Sequence, residues 1–212
     1  MFKIGSQLFA TAGPEAVKQV AELGCGIFLD LKFHDIPNTV AGAVLASAAM
    51  PGVQLVNVHA LGGSAMMRAA VQAISAGVPM GADRARLLAV TILTSMEQSA
   101  MREVGISGPP KARVVKLAKL AKEVGVDGVV ASVQEAKTIR KACGPEFLIV
   151  TPGVRLKNGD QGKTDDQART ATPSEAIKAG ADFIVVGRPI LAASDPRAAA
   201  QDMVNEIAAA KG

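Results

Sequence analysis

The 212-residue chain contains no tryptophan and no tyrosine, and only six phenylalanines. Single-stranded nucleic acid is gripped on aromatic platforms set among basic residues. Here Lys and Arg are scattered and the phenylalanines do not interleave with them, so the net charge of +4 does not mark a nucleic-acid partner. A modest positive balance suits a small anionic substrate instead. Cysteine is scarce. Cys25 and Cys143 lie in or beside apolar helical patterns and read as buried thiols of a reducing, cytoplasmic compartment rather than as a disulfide framework. No run of about 18 apolar residues is free of charge, which argues against a membrane-spanning helix. MFKIGSQLF shows no basic start followed by an apolar stretch, so no secretory leader is expected. Linkers and low-complexity tracts are missing as well, and the length suits one well-cored domain over residues 1–212.

What is present is alternation. Short apolar runs at Phe2–Gly5, Ile27–Lys32, Leu55–His59, Leu87–Leu93, Gly128–Ser132, Phe147–Pro152 and Phe183–Gly187 read as strands. Between them lie alanine-rich segments with apolar residues at helical spacing, such as Ala112–Val124 and Gln134–Ala142. Ser132 with Glu135, and Thr172 with Glu175 behind Pro173, have the spacing of capping boxes. Gly24, Gly125, Gly144 and Gly180 fall where helices should stop. The strand candidates are continuously apolar, as a parallel sheet covered by helices requires. The expected fold is therefore α/β, a (β/α)8 TIM-type barrel with only seven of its eight strand–helix units visible.

In such a barrel, chemistry collects at the carboxyl ends of the strands. Asp30, Lys32, His59, Thr94, Ser132, Arg155 and Arg188 fall there. Within FLDLKFHDIPNTV, Asp30 and Lys32 are two apart on a strand and should share a face. Charges inside a barrel are costly unless paired. Lys3 on the neighbouring strand and Asp35 in the following loop would extend the pair into a Lys-Asp-Lys-Asp line, with Asp35 serving the same mouth or a neighbouring subunit's. The alternative is a purely structural salt-bridge cluster. Gly187 and Arg188 follow the last strand, where barrels commonly build a phosphate site, with Arg as a bidentate fork. The long loop from Thr151 to Thr172 has the length of a lid. His59 has only His34 as a histidine companion and no carboxylate pair, so no metal site is expected. Ser132 reads first as a helix N-cap.

Taken together, FKIGSQLFATAGP, FLDLKFHDIPNTV, NVHALGG, AVTILTS, VVASVQEAK, TPGVR, DDQARTATP and VVGRPI resemble, in order and over nearly the whole chain, the bacterial orotidine 5′-phosphate decarboxylases. That resemblance implies a homodimeric lyase that decarboxylates orotidine 5′-phosphate with no metal or other cofactor. It implies that Lys3, Asp30, Lys32 and Asp35 form the catalytic network. Lys32 would protonate C6 of the pyrimidine, Asp30 would face the departing carboxylate, and Lys3 would hold Asp30 and the ribose. Asp35 and Thr39 would reach the partner's site. Ile36, Thr94, Pro152, Arg155 and Gly187 would contact ligand, Gln167 and Arg188 would grip phosphate, Ser132 would meet the pyrimidine edge and His59 the ribose. Members of the family begin with a further strand ending in Asp and a helix, roughly 30 residues, about one βα unit. This chain starts at Met1-Phe2-Lys3, inside the second strand of that pattern. The expectation is a start assigned too far downstream, with poor stability and weak activity for the shortened chain. Two rivals stand beside this reading: a magnesium-dependent relative resembling 3-keto-L-gulonate 6-phosphate decarboxylase, and an inactive phosphate-binding remnant.

Overall fold

The computed structural model describes residues 1–77, 84–156 and 171–211. Strands and helices alternate among them: β1 (Phe2–Gly5), α1 (Ser6–Glu22), β2 (Ile27–Phe33), α2 (Pro37–Ala48), β3 (Val53–His59), α3 (Gly63–Ala76), β4 (Arg86–Val90), α4 (Gln98–Glu103), α5 (Pro110–Glu123), β5 (Gly128–Val130), α6 (Val133–Cys143), β6 (Leu148–Thr151), α7 (Pro173–Lys178), β7 (Phe183–Ile184), α8 (Arg188–Leu191) and α9 (Pro196–Lys211). Sheet order follows chain order from β1 to β7, and the registers of β1 with β2, β2 with β3, β3 with β4 and β6 with β7 are parallel. Neighbouring parallel strands cannot be joined by a tight hairpin, so each connection must cross over.

The chain forms two compact units, Met1–Thr91 with Leu117–Val129, and Ile92–Lys116 with Val130–Gly212. In the first, Ile4, Ile27, Leu29, Val56, Val58, Leu87 and Leu88 are fully buried. Strands covered on both faces select these uninterrupted aliphatic runs. In the second, Val154, Ala176 and Ala181 form a core with Val133, Ile184 and Val186 packed against it.

Both units use one device where a helix hands over to a strand. Gly125 and Gly180 adopt φ of 89° and 96°, a conformation that only glycine takes readily. Two residues later an aspartate turns back onto the preceding strand. Asp127 Oδ2 accepts from Leu87 N–H at 2.7 Å while its own N–H donates to the Leu87 carbonyl. Asp182 Oδ2 accepts from Ile149 N–H at 2.7 Å while its N–H donates to the Ile149 carbonyl. An arginine neutralises each carboxylate: Arg84 binds Asp127 through both terminal nitrogens at 2.7 Å, and Arg140 meets Asp182 at 2.6 Å.

Several strands are shorter than their apolar runs. β4 stops at Val90, β5 at Val130 and β7 at Ile184, whereas the hydrophobic pattern continues to Leu93, Ser132 and Gly187. Past two of these ends the backbone still reaches the neighbouring strand: Ala131 N–H donates to the Val150 carbonyl and Val185 N–H to the Thr151 carbonyl. Thr172 and Glu175 form the expected reciprocal capping box on α7, and Ser132 caps α6 by accepting from Gln134 N–H. Cys143 is buried but Cys25 is only half-buried, and they are not joined in a disulfide.

Replacing Asp127 with alanine strands the buried Leu87 N–H and the Arg84 charge together. Urea denaturation of Asp127→Ala should show a loss of roughly 2–3 kcal/mol. A change under about 0.5 kcal/mol, the size of an ordinary surface substitution, would contradict the clamp.

Candidate active site

Lys3 projects from β1, Asp30 and Lys32 come from β2, and Asn57 and His59 come from β3. The register sets Gly5 opposite Asp30. Asp30 is 7% exposed in all. Its Oδ1 lies 2.7 Å from Lys32 Nζ, and its Oδ2 lies 3.1 Å from Lys3 Nζ. One buried carboxylate is thus bracketed by two ammonium groups, each about a third exposed. A Cβ at Gly5 would sit 3.1 Å from Lys3 Nζ. Glycine there leaves the ammonium room to lean toward Asp30.

Asp30 and Lys32 do not meet by plain strand alternation. The β2–β3 register slips between Leu29 and Phe33, and Lys32 adopts φ of 55°, alone among the described non-glycine residues in having positive φ. The irregularity re-aims the lysine at the end of its strand, as bulges beside active sites do. Asn57, fully buried, accepts from Lys32 N–H through Oδ1 at 2.8 Å and donates from Nδ2 to Asp30 Oδ1 at 2.7 Å. Neither Asn57 nor Gly5 stands out in the sequence as a site residue. A polar residue inside an aliphatic strand was the available signal for Asn57.

Burial alone would push the Asp30 carboxyl up, but the Lys32 ammonium, the Asn57 amide and the Lys3 charge outweigh it and hold it below its ordinary 3.8. His59 goes the same way for a different reason. Burial disfavours its imidazolium, the His34 and Lys32 charges add to this, and Asp30 opposes them, so it lies below its ordinary 6.5. The His34 and His59 rings are 5.5 Å apart. Among the described residues no group of three or more His, Cys, Asp or Glu could hold a metal ion.

Asp35 is exposed, accepts from Ile36 N–H at 2.6 Å and makes no ion pair among the described residues. Within this chain the line of charge therefore ends at Lys32. Asp35, Ile36 and Thr39 are exposed together at the start of α2, Ile36 at 66%.

In the second unit, Ser132 is buried at the N-cap of α6, just past β5. Thr94 is buried in the loop after β4. Pro152 and Arg155 follow β6, where Arg155 N–H donates to the Ala171 carbonyl at 2.9 Å and Ala171 N–H to the Gly153 carbonyl. That pairing closes the base of the long loop. Gln167 lies outside the described residues. Gly187 and Arg188 are exposed at the start of α8, with open space where a Gly187 side chain would sit.

A family model described as orotidine 5′-phosphate decarboxylase / HUMPS family matches residues 1–203. The chain is 56% identical over 209 residues to the protein named orotidine 5′-phosphate decarboxylase from Trichlorobacter lovleyi, covering 99% of this chain and 85% of that one. It is 55% identical, at the same coverage, to the protein of that name from Pelobacter propionicus. The crystal structure of orotidine 5′-phosphate decarboxylase from Lactobacillus acidophilus superposes with a TM-score of 0.84 at 43% identity, over 97% of this chain and 85% of that chain.

The two depressed groups each contribute a pH-dependent part of the stability. Unfolded histidine binds a proton more readily than His59 does, so the His59 contribution to stability falls as pH drops below 6.5. Folded Asp30 gives up its proton more readily than unfolded aspartate, so its contribution holds above 3.8 and is lost as pH falls further. Denaturation measured across pH should show both windows, with His59→Gln removing the upper one and Asp30→Asn the lower. Acid profiles of both variants running parallel to the parent's would contradict these assignments.

Proposed function

The chain belongs to the orotidine 5′-phosphate decarboxylase / HUMPS family, and from that membership we propose how it works: it is a carboxy-lyase that converts orotidine 5′-phosphate to uridine 5′-phosphate and carbon dioxide in pyrimidine biosynthesis. The observation that carries the mechanism is the Lys3–Asp30–Lys32 network, one buried carboxylate between two ammonium groups.

Cleavage of the bond from C6 to the carboxylate leaves an electron pair on carbon with no adjacent group to accept it. Lys32, 2.7 Å from Asp30, stabilises that pair and then transfers a proton from Nζ to C6, leaving a neutral amine that regains its proton from water. Such chemistry needs no metal or organic cofactor. Asp30 faces the departing carboxylate, and Lys3 holds Asp30 and the ribose. Gln167 and Arg188 grip the phosphate, with Thr94, Pro152, Arg155 and Gly187 beside the ligand, Ser132 at the pyrimidine edge and His59 near the ribose. Phosphate binding far from C6 supplies binding energy that is spent on the transition state.

The exposed run Asp35, Ile36 and Thr39 supports a homodimer in which these residues complete the partner's site. The sequential parallel strands support a TIM-type barrel, with residues 1–212 as one domain of seven strand–helix units. Two cysteines outside any disulfide suit a cytoplasmic enzyme. No helix among the described residues is long and apolar enough to cross a membrane.

Release of carbon dioxide from orotidine 5′-phosphate tests the reading. Turnover should survive EDTA and fall at least about 10³-fold in Lys32→Ala, the upper range for loss of a general acid. Activity abolished by chelation would favour a magnesium-dependent relative, and tight binding of uridine 5′-phosphate without turnover would favour a non-catalytic remnant. Mixing inactive Lys32→Ala and Asp35→Ala chains should restore about a quarter of the parental rate, since half of randomly paired two-fold dimers carry one intact shared site. No recovery on mixing would overturn the shared site.

A further inference from the structure

Asn57 is a carboxamide with 0% exposure in the middle of β3, flanked by Val56 and Val58, which are equally buried. A buried polar side chain must find partners for its donor and its acceptor. Both partners of Asn57 lie on β2, and they are the backbone of Lys32 and the side chain of Asp30. The orientation of the amide follows from chemistry. Lys32 N–H can only donate and the Asp30 carboxylate can only accept, so Oδ1 must face the first and Nδ2 the second.

We propose that Asn57 is the positioning residue of the site: its carboxamide pins the left-handed backbone of Lys32 and one oxygen of Asp30 together, fixing the ammonium over the reacting carbon. Left-handed backbone is unfavourable for any residue with a Cβ. At Lys32 it coincides with the slip of the β2–β3 register between Leu29 and Phe33, and the Lys32 N–H is taken up by a side chain in place of a ladder carbonyl. A residue at position 57 therefore has to offer an acceptor and a donor about one amide width apart. Aspartate offers the acceptor alone, alanine and leucine offer neither, and a single hydroxyl is too short to span both.

The kinetic consequence rests on the decarboxylase reading, while the structural one does not. Groups facing Asp30 are Lys3 from β1, Lys32 from its own strand, and Asn57 and His59 from β3. Removing the Asn57 amide leaves the two ammonium groups but takes one donor from the carboxylate. Asn57→Ala and Asn57→Asp should lower kcat about 100-fold, the scale of a misplacement of about 1 Å. KM should change less than about threefold, because the phosphate end is held by other residues. By carbon-13 NMR the Asp30 titration should move to higher pH in both variants. Retention of kcat within threefold and an unmoved Asp30 midpoint, in either variant with native far-ultraviolet circular dichroism, would overturn the proposal.

If the parent chain does not turn over orotidine 5′-phosphate, the decarboxylase reading fails, and the Asp30 midpoint still decides the role of Asn57. Should neither variant fold, the unaltered protein carries the test. Its Asn57 Nδ2 proton resonances should shift along the Asp30 titration, and resonances flat across that titration would overturn the bridge.

Discussion

A carboxylate with a tenth of its side chain exposed stays ionised here because two ammonium groups and a carboxamide surround it. The features of the first unit that matter to chemistry follow from housing Asp30. Gly5 leaves space for Lys3 to lean in. The bulge in β2 turns Lys32 back toward the carboxylate two residues earlier. Burial and pairing act against each other on Asp30, and pairing prevails. Removing one partner would leave a charge buried without full compensation, which costs far more than the pair contributes when intact. A cluster of this kind is poor economy for stability alone and well suited to a reaction that needs a fixed, charged proton donor.

Strain at Lys32 has the same logic. Sparsely populated backbone conformations persist where surrounding contacts over-determine them, and they gather at functional sites. Here the contact is one side chain on the adjacent strand, itself fully buried among aliphatic neighbours. Asn57 joins the Lys32 N–H to the Asp30 carboxylate through its two side-chain hydrogen bonds. His59, two residues on at the end of the same strand, feels both charges and its neighbour His34, and is held toward the neutral form.

Much of this was legible from residue types. Asp30 and Lys32 stand out as charges in an aliphatic run, and a charge in such a run needs a partner. The Asn57 bridge was not legible, because its meaning depends on a register between strands 25 residues apart. Nor was the left-handed Lys32, since lysine carries no signature for that conformation. The Asp127 and Asp182 clamps read as ordinary residues after helix ends, and only the parallel pairing reveals that each aspartate caps the strand before its own. Strand ends were over-read at Leu93, Ser132 and Gly187, where hydrophobicity continues past the last ladder hydrogen bond. Asp35 stood in line with the other charges on paper. In the folded chain it accepts from Ile36 N–H and makes no ion pair among the described residues.

The charge network depends on Asp30 being ionised in spite of its burial. Titration of its carboxyl carbon by NMR in the ligand-free protein measures this directly. The midpoint should lie below 3.8, with Lys3→Ala and Lys32→Ala each moving it upward. A midpoint above 3.8 in the parent, or one that ignores both lysines, would mean that desolvation governs the site and would contradict the charge network.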